Sequence, residues 1–248
     1  MLHLRIWYGD AMGSCRPPLF WKRKFEPHVI VTCVRWYFRF CLSLRDLKEL
    51  MAERGLAVDH TTIWRWTQHY GPEVLRRLQG EMKRRSSTWH MDETFVRIAG
   101  KQMYLFRAVD SHGQTVEFYL SETRDRQTAK LFLQRAMANP NNPPPGVFAR
   151  DGLRSYPAAI RELKCEGCVR QHCQQRTRPY CNNRIESDHR HIKRRLRAMQ
   201  GPRTTATAWA AIQGIEAANM IRKGQVRGIT RHNLHGQAWL FEALLGAA

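Results

Sequence analysis

The chain reads as an α/β protein of α+β type, with helices first, a mixed sheet in the middle and helices again to the C-terminus. Three observations predict this. Leu44, Leu47, Leu50 and Met51 recur at helical spacing; from Trp89 the period falls to two across three consecutive segments; and beyond the proline-rich stretch "NPNNPPPG" one short strand is followed by helical periods.

Residues 1–24 mix aromatic, proline and basic residues ("CRPPLFWKRK") with neither period, and read as a loosely held arm ahead of a helix that starts after Pro27. In "LSLRDLKELMAERGLAVDHTTIWRWTQHYG", Gly55 ends one helix in a short turn and Asp59 caps the next. That next helix has two faces. Ile63, Trp66, Thr67 and Tyr70 form a packing side, and Thr61, Trp64, Arg65 and Gln68 a free side. Two short helices joined through glycine, the second polar and basic on its outward face, suit a helix-turn-helix domain over 25–80 that reads a DNA major groove; an ordinary helical hairpin carries the same pattern.

The segments "WHMDETFVRI", "MYLFRAVD" and "TVEFYLSE", separated by "AGKQ" and "SHGQ", predict three antiparallel strands joined by hairpin turns. The first is apolar on both faces, as a central strand is. The third alternates, with Val116, Phe118 and Leu120 inward and Thr115, Glu117 and Tyr119 outward. A helix over 124–138 packs Ala129, Phe132, Leu133 and Ala136 to one side, and "VFARD" (147–151) is a short buried strand beyond it. A right-handed crossover places that strand beside the first. Helices follow: "SYPAAIRELK", then a segment with the stripe Ile185, Ile192, Leu196 and Met199, then "TATAWAAIQGIEAANMIRKG". The sheet and these helices make a domain over 85–225, and 226–248 is a tail compatible with a short amphipathic closing helix.

With 248 residues, 43% of them hydrophobic, the chain can bury a real core. Lys and Arg number 41 against 21 Asp and Glu, a formal charge of +20 that attracts polyanions and makes nucleic acid the first partner to consider. The apolar run at 29–38 is about half the ~20 residues of a membrane span and contains Arg35. The N-terminus has no apolar stretch of signal-peptide length, so the expected location is the cytoplasm, at the nucleoid of a bacterium. Seven cysteines of scattered spacing argue against a disulfide framework, and Cys165, Cys168 and Cys173 are too crowded for the two halves of a zinc site, so they read as incidental thiols.

The strand order makes Asp92 and Asp151 neighbours, and because Asp92 alternates with Glu93 only one of that pair faces the side of Asp151. An acid on an otherwise apolar strand is costly unless it is paired or binds a cation. Glu186 is the third acid. It lies in "NNRIESDHRHIKRR", where Asn182 or Asn183 caps a helix that Ile185 and Ile192 lay on the sheet. Three converging carboxylates suit two hard divalent ions, Mg²⁺ or Mn²⁺, which ~3.5–4 Å apart stabilise the attacking and leaving oxygens of a phosphoryl displacement. Lys193 returns to the face of Glu186 about 10 Å along the axis and can hold DNA phosphate, with Arg190 and Arg194 extending the contact. Taken singly, each acid has a plainer reading: Asp92 as a cap or ion-pair partner, Asp151 as a turn residue, Glu186 as a surface acid offsetting its arginines. Glu93, Asp110, Asp125 and Asp188 are expected to be salt-bridged or solvated, and His172, His189 and His191 to be phosphate contacts or surface groups.

At these residues the chain resembles the DDE transposases of the bacterial insertion-sequence six family. "VRWYFRFCLSLRDLKELMAERGLAVDHTTIWRW" is similar to that family's DNA-binding helices, and "WHMDETFVRIAGKQMYLFRAVDSHGQTVEF", "RDGLRSYPAAI" and "NNRIESDHRHIKRR" to its three catalytic blocks, together covering about 19–225. The 34 residues between Asp151 and Glu186, and Lys193 seven beyond Glu186, match the family pattern. The resemblance implies an RNase H-like catalytic domain with C-terminal helices, in which Asp92, Asp151 and Glu186 bind metal and Lys193 is the associated basic residue. It implies cleavage at terminal inverted repeats of double-stranded DNA, strand transfer into target DNA, and a homo-oligomer, with no membrane and no small-molecule substrate. The chain departs from the pattern at Arg150 and Gly152, which flank the second aspartate, and in "GPRTTATAW", which lacks the usual aromatic residues. Two rivals come from other classes: a non-catalytic helix-turn-helix regulator, and a nuclease of RNase H-like fold that cuts without joining.

Overall fold

A computed structural model describes residues 16–150, 155–177, 183–199 and 202–248. The first helix, α1 (Pro27–Arg39), opens on a proline whose fixed φ suits the first helical position. α2 (Leu44–Ala52) is closed at its start by a reciprocal Ser43–Asp46 capping box. Gly55 turns the chain at φ 75°, and Asp59 accepts from the Thr61 amide at 2.9 Å to start α3 (His60–Leu78). The two faces of α3 are as the spacing requires: Ile63, Trp66, Thr67 and Tyr70 are buried, Thr61, Trp64 and Arg65 exposed, and Gln68 half-buried.

β1 (Thr88–Ile98) and β2 (Lys101–Asp110) form a hairpin around Ala99 and Gly100, both at positive φ. β3 (Thr115–Ser121) pairs antiparallel with β2. Asp125 caps α4 (Arg126–Ala138), and the crossover delivers β4 (Val147–Arg150) parallel to β1. α5 (Ser155–Cys165) follows, then β5 (Gln174–Thr177), parallel to β4. The sheet order is β3-β2-β1-β4-β5. β5 escapes a reading by hydrophobic pattern because its four residues, "QQRT", are all exposed. The chain ends with α6 (Asn183–Ala198), α7 (Thr205–Arg222) and α8 (Leu234–Leu245).

Both sheet faces are covered. On one, Trp89, Met91, Phe106 and Phe148 pack against Phe132 of α4 and Tyr156 and Ile160 of α5. On the other, Val96, Ile98, Met103, Leu105 and Phe118 join a core that runs through α7 and α8 to α1, α2 and α3. Val116 departs from the expected alternation. It is the residue of β3 without a β2 partner, at the register shift beside Ala108 and Val109, and it packs on the α4 face while Phe118 packs on the other. Residues 16–24 are tied down rather than loose: Phe20 is fully buried and stacks on Tyr70 at 5.1 Å, and Arg16 donates to the carbonyls of Arg23 and Phe25. The arm residues 1–15 lie outside the described residues.

Phe38 is the joint between the N-terminal helices and the rest. Its ring lies between Gly71 of α3 and Gly214 of α7; a Cβ on Gly71 would stand 2.9 Å from Phe38 Cζ, and one on Gly214 would clash with the ring outright. Arg195 of α6 adds a polar tie, donating to the Tyr37 carbonyl with its guanidinium 5.4 Å from the Tyr37 ring. Among the described residues no helix is long and apolar enough to cross a membrane.

His191 gives this packing a pH signature. Burial, with Arg222 beside it, lowers the His191 imidazole from 6.5 to about 4. Between those values the unfolded chain holds a proton that the folded chain rejects. The stability involved is fully present above pH 6.5 and is lost as pH falls toward 4, at up to about 1.4 kcal/mol per pH unit. Urea midpoints measured from pH 7.5 down to about pH 5 should fall accordingly, and His191→Gln should flatten the slope.

Candidate active site

Asp92 occupies the middle of the central strand. Its neighbours Trp89 and Met91 face α4 and α5, so by alternation Asp92 faces the opposite side, where α6 lies. The contact is direct: His189 Nδ1 of α6 stands 3.6 Å from Asp92 Oδ2. His189 and His191 are therefore not the surface groups expected from the sequence; His189 is buried and His191 half-buried, and only His172 is exposed. Burial, reinforced by the charges of Arg107 and Lys193, lowers His189 to about 3, so it meets Asp92 as a neutral imidazole.

Helix geometry then places the remaining residues. Ile185, Asp188, His189, Ile192 and Arg195 are buried on α6, whereas Glu186, Arg190, Lys193 and Arg194 are exposed. At about 100° per residue, Glu186 and Lys193 fall about 20° apart on the flank next to His189. Glu186 and Lys193 thus share the side of α6 that borders Asp92, and Arg190 lies just outside them. Across β1, the parallel ladder pairs Met91, the residue before Asp92, with Arg150, the residue before Asp151 in the sequence. Asp151 itself lies outside the described residues, as do Cys181 and Asn182. Among the described residues no three His, Cys, Asp or Glu side chains gather as a metal site, and Cys165 and Cys168 are exposed free thiols while Cys173 is buried.

Asp110, Asp125 and Asp188 have structural work. Asp110 is buried and accepts from the backbone amides of Ser86, His112 and Gln114, shaping the β2–β3 turn. Asp125 caps α4. Asp188 is salt-bridged as expected, though inside the protein: Arg107 stands 2.5 Å from its Oδ2 and Lys223 2.7 Å from its Oδ1. Burial opposes its ionisation, yet those two cations hold the Asp188 carboxyl well below the usual carboxylate range. Arg107 also bonds Glu216 of α7 at 2.8 Å. Sequence reading missed this cluster, although a signal was present. Arg107 and Glu216 are lone charges within the apolar runs "MYLFRAV" and "AAIQGIEAANM", and such charges need each other.

The donor chemistry suits a hard divalent cation. Asp92 and Glu186 offer carboxylate oxygens, and the guanidinium across the ladder from Asp92, Arg107, is already compensated by Asp188 and Glu216.

An antiparallel meander extended by two parallel strands in the order 3-2-1-4-5, with an acid on its central strand beneath a basic helix, is an RNase H-like arrangement. A family described as a DDE domain, of the IS240 transposase type, matches residues 86–225. The transposase for insertion sequence-like element IS431mec of Staphylococcus aureus (strain Mu50 / ATCC 700699) is 33% identical over 207 residues, covering 84% of this chain and 90% of that protein. The transposase of insertion sequence element IS257 in transposon Tn4003 of Staphylococcus aureus has the same identity and coverage. Among solved structures, the catalytic core domain of BIV integrase aligns with a TM-score of 0.42 at 20% identity, covering 64% of this chain and 99% of that one. This chain belongs to the DDE transposase family, and it carries that family's catalytic domain; the family implies a divalent metal.

Proposed function

We propose that the protein binds the terminal inverted repeats of its insertion sequence, cuts there, and joins the freed end to target DNA. The observation that carries this reading is the meeting of β1 and α6, where His189 touches Asp92 and sets Glu186 and Lys193 on the adjoining flank. Asp92, Asp151 and Glu186 would hold two divalent ions, Mg²⁺ or Mn²⁺. Bound there, such ions supply Lewis-acid activation of the attacking oxygen and charge stabilisation of the leaving one.

The chain's own residues do the rest. Asp92, on a strand paired on both sides, is a fixed carboxylate; neutral His189 packs against it without neutralising it. Lys193, with Arg190 and Arg194, grips the phosphates on either side of the scissile bond. In the first step the oxygen of water bonds to phosphorus and remains on the 5′-phosphate, the P–O3′ bond breaks, and the released 3′ oxygen takes up a proton to become a 3′-OH while water gives one up to solvent. In the second that 3′-OH attacks a target phosphodiester, forming one P–O bond as another breaks, so no nucleotide cofactor is consumed. Thr61, Trp64, Arg65 and Gln68 read the repeat from the outward face of α3, within a DNA-binding domain over 25–80 that precedes the catalytic domain over 85–225. The active form is a homo-oligomer on double-stranded DNA in the bacterial cytoplasm.

The test incubates the purified protein with DNA ending in the element's own terminal repeat, with Mg²⁺ and a target plasmid. Nicked ends carrying 3′-OH and covalent joints to the plasmid are expected, both lost on chelation with EDTA. Cuts without joints would make it a nuclease, and binding without cuts in Mg²⁺ or Mn²⁺ a regulator.

A further inference from the structure

Two neighbouring residues of α6 engage the two members of one cross-strand pair. Asp92 and Arg107 are register partners on β1 and β2. His189 stands 3.6 Å from Asp92, while Asp188, the residue before it, accepts a 2.5 Å hydrogen bond from Arg107. The grip on Arg107 reaches further. Its guanidinium, with no exposure, donates to Glu216 of α7 at 2.8 Å, and Asp188 in turn meets Lys223 at 2.7 Å and the Asn219 amide at 3.3 Å.

Two cations and two anions share this interior, so the cluster is neutral as a whole. Its value as adhesive is small, because the cost of stripping water from buried charges cancels most of their attraction, and apolar side chains of like volume hold helices together as well. What a bonded charge cluster adds is a single allowed arrangement. Apolar contacts at Ile185 and Ile192 let a helix roll or slide by a fraction of an ångström; a charge-assisted bond from Arg107 Nη2 to Asp188 Oδ2, made by a guanidinium that Glu216 of α7 also holds, narrows that freedom.

That restriction bears on Glu186. At about 100° per residue, Asp188 and Glu186 lie on opposite flanks of the buried stripe of α6, so the roll that Asp188 fixes is the roll that aims Glu186. Ligand distances at a metal are set within about 0.2 Å, finer than apolar packing alone enforces. We propose that the Asp188–Arg107 pair is the positioning element of the active site, locking the roll and height of α6 so that Glu186 meets Asp92 at the spacing a divalent cation needs. The inference rests on the reading of Asp92 and Glu186 as metal ligands.

The test uses the full chain and four proteins: the wild type, Asp188→Glu, Arg107→Lys and Lys223→Met. The first two variants keep every charge but lengthen or loosen the bond between α6 and β2; the third removes the outer cation and leaves that bond in place. Mn²⁺ affinity is measured by calorimetric titration, alongside thermal unfolding and binding to terminal-repeat DNA. Asp188→Glu and Arg107→Lys should fold and bind DNA as the wild type does while losing about 10- to 100-fold in Mn²⁺ affinity, the range seen when outer partners of metal ligands are changed. Lys223→Met should stay within about twofold of wild-type Mn²⁺ affinity even where its unfolding temperature drops, as an outer charge that orients no ligand does. Wild-type Mn²⁺ affinity in a folded Asp188→Glu or Arg107→Lys protein overturns the proposal. So does an equal loss in Lys223→Met, which would reduce the effect to general electrostatics, and so does failure of all three variants to fold, which would make the cluster a stability element alone. If the wild type itself binds no Mn²⁺, the reading of Asp92 and Glu186 as ligands fails, a result distinct from unequal folded variants.

Discussion

Asp92→Ala should eliminate strand cutting and joining, a loss of at least about 10²- to 10³-fold, while repeat-DNA binding stays at the wild-type level. The separation follows from position. Asp92 sits on the central strand under α6, away from the outward face of α3, and its replacement leaves the core residues Trp89, Met91 and Phe106 untouched. Asp151→Ala and Glu186→Ala should behave alike, and a double substitution should cost little more than one, because ligands of one metal site act as a unit. Gel-shift and strand-transfer assays on the same preparations decide it. Loss of binding in step with cutting would mean that Asp92 holds the fold together, and undiminished joining would remove it from the chemistry.

Phe38→Ala should be the most damaging single change to stability, costing about 3–5 kcal/mol. The ring is fully buried and flanked by Gly71 and Gly214, so neither neighbour has a side chain that could move into the space it leaves. Substitution from the other direction is also excluded: Gly214→Val would drive a side chain into the ring and should unfold the junction of α1, α3 and α7. A urea titration followed by both tryptophan fluorescence and far-UV circular dichroism should show one shifted transition for Phe38→Ala. Two separated transitions would mean that the N-terminal helices and the sheet unfold independently.

Most of the architecture was legible in the sequence because local signals and tertiary outcome agreed. Asp59 announced its helix as a cap, and the alternation in 89–121 announced the meander, whereas Asp125, expected to be salt-bridged or solvated, caps α4 instead. β5 was illegible because "QQRT" is held by backbone pairing to β4 and buries nothing, so no pattern of side chains marks it. Val116 was misassigned to a face because a bulge shifts alternation without leaving a residue-type signature. At the site, helical spacing set Glu186 and Lys193 on one flank of α6, but His189 and His191 read as phosphate contacts or surface groups, and nothing in the sequence marked Arg195. Asp188, His189 and Arg195 are buried there because each meets a partner from a distant element: Arg107, Asp92 and the Tyr37 carbonyl. Partners separated by 81, 97 and 158 positions cannot be read from periodicity.

The unbroken core from α3 through α7 to the sheet makes the molecule a ruler. On the proposed reading of α3 as the sequence-reading helix, no hinge lies between the bases it touches and the carboxylate at Asp92 within one protomer. The cut is then set at a fixed distance and helical phase from the recognised bases, and adding one base pair between them displaces the scissile phosphate by about 3.4 Å along the duplex while rotating it about the axis. Such an enzyme tolerates changes of sequence in that interval far better than changes of its length.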